Sequence, residues 1–189
     1  MRNEDKIIID LCGGTGAWSK PYSDNGYEVI NATLPDMDMT TEKVIKELIA
    51  YKPYGILFAP ECTVWANSGV RWWTNRTSQE IYEATTILVS GLRIIYQSKP
   101  VFWALENPIG KMRNLLGDPS LIFDPCDYGD PYTKRTLLWG EFNIPEQYPV
   151  SATEGSKMHL NYGGKSEYVK RMRSITPPGF AKAFFKANK

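Results

Sequence analysis

The sequence has a single histidine, His159, and only three cysteines, Cys12, Cys62 and Cys126, none of them in a C-x-x-C pair. That scarcity argues against a zinc site or a disulfide framework, and each cysteine can be read as a small buried hydrophobe. No apolar stretch approaches the roughly 20 residues that cross a bilayer. The charged start, Met1 to Lys6, leads straight into Ile7 to Ile9 without a secretory n-region and h-region. A cytoplasmic protein with no membrane segment and no metal is the expectation. Excess charge is also lacking, since 22 basic and 21 acidic residues leave a net +1. The distribution is less even: Met1 to Glu61 carries 6 basic and 10 acidic residues, and the rest 16 and 11. A basic second half suits an anionic substrate, and equally a solvated basic face.

What is present is an alternation of strand and helix patterns in a chain long enough for one core and short for two, so residues 1–189 are expected to form a single domain. Lys6 to Leu11 is a β-branched run ending at glycines, as a buried parallel strand does. Trp18 to Asn25 reads as a short helix and Tyr27 to Ile30 as a strand. Thr41 to Tyr51 reads as an amphipathic helix with Val44, Leu48 and Ile49 inward. Gly55 to Phe58 and Val101 to Leu105 read as further strands. Between them Thr77-Ser-Gln-Glu80 has capping-box spacing and opens a helix to about Ser98, with Ile81, Ala84, Leu88, Leu92 and Ile95 on one face. Thr136 to Trp139 is a strand candidate, Glu141 to Lys170 is polar with little periodicity, and Thr176 to Phe185 starts a last helix. This is an α/β pattern, a mostly parallel sheet with helices on both faces.

Three segments following apolar strands carry chemistry. Asp10-Leu-Cys-Gly-Gly-Thr-Gly16 is a turn whose glycines let backbone approach a ligand at the carboxyl edge of the sheet, and equally a simple tight turn. Neither the P-loop nor the G-x-G-x-x-G pattern fits it. Phe58-Ala-Pro-Glu-Cys-Thr63 brings Cys62 to the same edge, where a thiolate could act as a nucleophile. Leu105-Glu-Asn-Pro108 brings Glu106 there, either as a neutral acid able to donate to a heterocycle nitrogen or as a carboxylate capping backbone amides. Between them, Asn67-Ser-Gly-Val-Arg-Trp-Trp-Thr-Asn-Arg76 combines Arg71, Trp72, Trp73 and Arg76, suited to stacking on bases and gripping phosphates, or to packing two tryptophans on the core.

Together with Tyr132-Thr-Lys-Arg135 and Thr176-Pro-Pro-Gly-Phe180, these motifs occur in the order of those of DNA cytosine-C5 methyltransferases. The chain resembles the short phage-type members that lack a target-recognition domain. The resemblance implies a Rossmann-like S-adenosylmethionine-dependent methyltransferase fold. It implies S-adenosylmethionine as cofactor, lined by Asp10, Leu11, Gly13, Gly14, Gly16 and Pro60, with Asp38 on the adenine side. It implies that Cys62 adds to C6 of the pyrimidine while Glu106 contacts N3, and that Arg135, with Lys134, meets a phosphate or supports a flipped base. DNA is the expected partner, ahead of RNA or a free pyrimidine nucleotide, with a specificity subunit or a homo-oligomer as further partners.

Two departures bear on that expectation. Glu61 stands where the family has proline, and a carboxylate beside the thiol raises its pKa unless it points away or pairs with a cation such as Arg135. The interval 141–170 is too short for a recognition domain with its own core. Two alternatives are a cofactor- or nucleic-acid-binding subunit with little or no catalysis, and an unrelated Rossmann-like enzyme with a structural Cys62.

Overall fold

The computed structural model describes residues 2–66, 75–156 and 166–189. It has six strands, β1 Ile7–Leu11, β2 Glu28–Ala32, β3 Gly55–Phe58, β4 Phe102–Pro108, β5 Leu121–Phe123 and β6 Thr136–Glu141. Its named helices are α1 Lys20–Asp24, α2 Glu42–Ala50, α3 Ser78–Ser98, α4 Met112–Leu116, α5 Glu167–Ser174 and α6 Pro178–Ala187. The strands form one sheet in the order β2-β1-β3-β4-β6-β5. The first four are parallel, as the strand–helix alternation predicts. β6 is antiparallel to both β4 and β5.

Alternate strand residues feed two cores on opposite faces, the consequence of a two-residue repeat in a sheet covered on both sides. On one face Ile9, Leu11, Ile56 and Phe58 pack with Ile45 and Leu48 of α2 and with Ala84, Leu88 and Ile95 of α3. On the other, Ile8 and Leu57 meet Tyr22 of α1 and Phe180 and Phe184 of α6. Burying each large side chain contributes on the order of 2–3 kcal/mol.

The helix starts follow their caps. Thr77 Oγ1 accepts from Glu80 N at 3.1 Å while Thr77 N donates to Glu80 Oε2 at 2.9 Å, the capping box expected from the spacing. In α2 the deepest residues are Ile45 and Leu48, whereas Val44 and Ile49 are only partly buried. The polar interval after β6 has neither helix nor strand over its described residues 142–156. α5 then forms within and beyond the stretch that lacked periodicity.

Candidate active site

Register brings three strand ends to one rim. Leu11 pairs with Phe58, and Phe58 with Leu105. Cys12, Ala59 and Glu106, each one residue further on, therefore stand in a row, and Ala59 N donates to Leu11 O at 3.0 Å. The chain leaves β1 toward β2 and β3 toward β4 in opposite directions, and open α/β sheets bind ligands at such a switch point. Because β6 runs antiparallel, with Thr136 opposite Pro108, its preceding residues Lys134 and Arg135 reach the same rim.

The glycine turn surrounds a buried acid. Asp10 is 1% exposed, and its Oδ2 accepts from Ser19 Oγ at 2.5 Å. Burial outweighs the Ser19 bonds and lifts its carboxyl from the ordinary 3.8 to about 6. Its Oδ1 has no partner among the described residues, and neither has the buried Oδ1 of Asn31 at the end of β2. Asn31 Nδ2 donates to Gly14 O at 3.2 Å. The turn coils through positive φ at Cys12, Gly14 and Gly16. A Cβ at Gly13 would lie 2.4 Å from Asp10 Cγ and 2.6 Å from Asn31 Oδ1, so only glycine fits over that pair of acceptors. Leu11 is fully buried in the core beneath the turn.

Asp38 lies beside this turn through its neighbour Met39, whose Sδ accepts from the Cys12 thiol at 3.4 Å. Asp38 Oδ1 accepts from Thr40 Oγ1 at 2.7 Å and Thr40 N at 2.9 Å, which holds its carboxyl below the ordinary value. Burial, then the Asp10 and Glu61 charges, push the Cys12 thiol up to about 12, so it stays a neutral packing group.

The Cys62 loop is pinned on several sides. Fully buried Asn107 donates Nδ2 to Pro60 O at 3.1 Å. Arg76 Nη2 donates to Thr63 O at 2.9 Å, and its Nη1 pairs with Glu80 at 2.7 Å. Ala66 bridges Gly110, and Lys111 N donates to Trp65 O at 2.7 Å. Cys62 itself keeps an exposed surface at the rim. Desolvation by the surrounding chain, then Glu106 and more weakly Glu61, push its thiol above the ordinary value; Lys134 and Arg173 oppose them. Glu106 is raised by burial, against the pull of Lys134. A raised Glu106 is in the direction that suits a proton donor.

Glu61 is held by its own loop, its Oε1 accepting from Thr63 Oγ1 at 2.6 Å, and it makes no ion pair among the described residues. Arg135 is engaged elsewhere: its Nε donates to Asp124 Oδ2 at 2.7 Å. Lys134 N donates to Asp124 Oδ1 at 3.0 Å, and Lys134 Nζ to Arg173 O at 2.8 Å. Of the two neighbouring cations it is Lys134 whose charge reaches Cys62 and Glu106.

The structure thus gathers Asp10, Gly13, Gly14, Gly16, Pro60, Cys62, Glu106 and Lys134 along one edge, with Asp38 adjoining. It leaves Arg135 on Asp124, gives Arg76 to the Cys62 loop, and Arg71, Trp72, Trp73 and His159 lie outside the described residues. Ser19, Asn31, Asn107 and Arg173 belong to the site without having been singled out from the sequence. Only Asn107 carried a signal, as the middle residue of Glu-Asn-Pro. Among the described residues no group of three or more His, Cys, Asp or Glu could hold a metal ion, and no helix is long and apolar enough to cross a membrane. A groove at the opposite edge of the sheet, lined in part by Tyr51, Lys52, Tyr54 and Lys99, contains none of these site residues.

The sequence matches no family model and no curated protein. The fold does have solved counterparts. A prophage-encoded protein of E. coli, assigned as a DNA modification methyltransferase, superposes on 97% of this chain and 69% of its own, at a TM-score of 0.51 and 15% identity. For the Entamoeba histolytica methyltransferase EhMeth the coverage is 85% and 60%, the TM-score 0.49 and the identity 14%. For the S. pombe Dnmt2 methyltransferase it is 86% and 55%, with a TM-score of 0.46 and 10% identity. The chain thus spans less than two thirds of the length of the second and third. At these identities the likeness is one of fold, and that conclusion rests on the first: this chain has a Rossmann-like methyltransferase fold, a mostly parallel sheet with helices on both faces.

Proposed function

We propose that this chain is an S-adenosylmethionine-dependent methyltransferase acting on C5 of cytosine in DNA through a covalent bond to Cys62. The observation that supports it most is the convergence of Cys62, Glu106 and Lys134 on the rim that also carries the glycine turn. The turn fits the cofactor: Asp10 Oδ1 and Asn31 Oδ1 are buried acceptors without partners among the described residues, beside a place where a Cβ is excluded, and the cofactor carries a cationic ammonium donor. Asp10, Gly13, Gly14 and Gly16 would hold it, with Asn31 and Asp38 at the flanks. Bound there, it supplies an electrophilic methyl group on a sulfonium.

Cys62, after losing its proton to solvent, forms a bond from sulfur to C6 of the cytosine. Protonated Glu106 donates a hydrogen bond to N3 and so accommodates the electron pair displaced into the ring, which makes C5 nucleophilic. After C5 takes the methyl group its proton leaves to solvent and the carbon–sulfur bond breaks, returning the thiolate. Lys134 favours the thiolate by its charge, and Asn107 keeps the loop in place by holding Pro60 O. We further propose that residues 1–189 form one unit, with residues 141–170 standing where larger enzymes of this type insert a recognition domain.

Transfer of labelled methyl from the cofactor to DNA, measured for wild type and Cys62→Ala, tests this. The proposal requires transfer by the first and none by the second; equal transfer by both would sink it. A second reading, cofactor binding without turnover, draws on the elevated Cys62 thiol beside Glu61 and Glu106. Calorimetric binding of the cofactor with no transfer to any DNA would favour it.

A further inference from the structure

The near-neutral total charge conceals a strongly basic carboxyl-terminal stretch. Residues 166–189 contain six Lys and Arg and one acidic residue, a formal +5 in a chain whose total is +1. Half of those cations are on α5, at Lys170, Arg171 and Arg173. At 100° per residue, Arg173, Lys170 and Arg171 share one side of the helix within about 160°, with Ser174 and the single acid Glu167 between Lys170 and Arg171, which leaves that side a formal +2. Val169 and Met172, half-buried, occupy the other side, while Arg171, Arg173 and Tyr168 are exposed. Tyr168, 65% exposed, continues the basic side next to Arg171.

The other arginines among the described residues, Arg2, Arg76, Arg93, Arg113 and Arg135, all pair with carboxylates. Arg171 and Arg173 make no ion pair among the described residues. The helix macrodipole does not account for them, because a C-terminus offers only about half a negative charge and Arg171 and Arg173 bring two positive ones. Nor is α5 remote from the rim. Lys134 Nζ donates to Arg173 O at 2.8 Å and to Ile175 O at 3.5 Å, clamping the end of α5 to the segment that enters β6. The positive charge of Arg173 is felt at Cys62.

We propose that the basic side of α5 is a phosphate-binding surface that lays a DNA strand along the Cys62 rim, Arg171 and Arg173 contacting the backbone and Tyr168 offering a stacking face. The proposal rests on the reading of the site as one that acts on DNA, and it names the element that holds the strand. It assigns to one short helix the grip for which the interval 141–170 is too short to build a separate core. Contacts of this kind are independent of sequence and strongly dependent on salt.

Fluorescence anisotropy with a fluorescein-labelled DNA duplex, titrated between 50 and 200 mM salt, tests it on wild type, Arg171→Ala/Arg173→Ala and Arg171→Lys/Arg173→Lys. Each lost phosphate contact reduces the slope of log affinity against log salt by about 0.9. The alanine pair should flatten the slope by about 1.8, so that wild type loses roughly tenfold more affinity than the variant across that range. The lysine pair, which keeps the charges, should keep the slope. An alanine pair that binds with the wild-type slope, or a wild type that does not bind the duplex, would overturn the proposal. A slope that depends on α5 in a protein that transfers no methyl group would uphold this inference and count against the proposed reaction.

Discussion

Replacing Gly110 with alanine places a methyl group where the Cys62 loop crosses the end of β4. The new Cβ would be 1.8 Å from Trp65 O and 2.7 Å from Ala66 Cα, both backbone atoms that no rotamer change can move aside. Ordinary carbon–oxygen contacts begin near 3.3 Å, so the two segments must part by about 1.5 Å. That opens the Ala66–Gly110 bridge and the 2.7 Å bond from Lys111 N to Trp65 O. It also displaces Trp65, which is 3% exposed. Losing a net hydrogen bond costs about 1 kcal/mol and leaving a buried partner unsatisfied about 1–3 kcal/mol, so the substitution should destabilise the fold by roughly 2–4 kcal/mol. In a chain of this size that lowers Tm by roughly 4–16 °C. Trp65 N and Ala66 N both donate to Cys62 O, at 3.0 and 2.7 Å, so the displacement is passed to the nucleophile. Urea denaturation gives the stability, and the rate at which Cys62 reacts with a chromogenic disulfide, expected to rise as the loop loosens and the thiol is better solvated, gives the local effect. An alanine variant within about 0.5 kcal/mol of wild type, with unchanged thiol kinetics, would refute the close packing of Gly110 against Trp65 and Ala66.

Other consequences follow from the charges at the rim. Asp10 binds its proton more tightly folded than unfolded, since its carboxyl moves from 3.8 to about 6. Between those values the native state holds more protons, so stability falls as pH rises through the window, by about 3 kcal/mol in all. Asp10→Asn should flatten that part of the curve when urea unfolding is followed from pH 3.5 to 7, and a variant with the wild-type slope would contradict the assignment. Glu61→Gln removes one of the charges that raise the Cys62 thiol, and Lys134→Ala removes one that lowers it. Alkylation rates from pH 6 to 10 should therefore shift to lower pH in the first and to higher pH in the second; shifts in the opposite order would show that other groups set the thiolate.

Much of the architecture was legible in the sequence because the strands and helices alternate and are buried on both faces of the sheet. Thr77 and Glu80 announce α3 by a local reciprocal bond, which needs no tertiary context. The direction of β6 was not legible, since its own residues, Thr136 to Glu141, favour a strand of either sense and the antiparallel turn-back is set by the connection through α4 and β5. α5 is not legible in the sequence because only Val169 and Met172 supply its inner side, too few for a period to register. Lys134 and Arg135 are adjacent, and the sequence does not say which one's charge reaches Cys62. The deciding partner, Asp124, is brought to Arg135 only by the fold. The same holds for Asn107, whose bond to Pro60 spans 47 positions.

The covalent role of Cys62 is tested most directly with duplex DNA carrying 5-fluorocytosine, incubated with S-adenosylmethionine and the protein. Fluorine at C5 cannot leave as a proton does, so the carbon–sulfur bond formed at C6 cannot break after methyl transfer. Covalent attack by Cys62 should give a protein–DNA conjugate that survives denaturation, requires the cofactor, maps to Cys62 by mass spectrometry and is absent from Cys62→Ala. A protein that binds both cofactor and DNA yet forms no conjugate, or a Cys62→Ala variant that forms one, would contradict it.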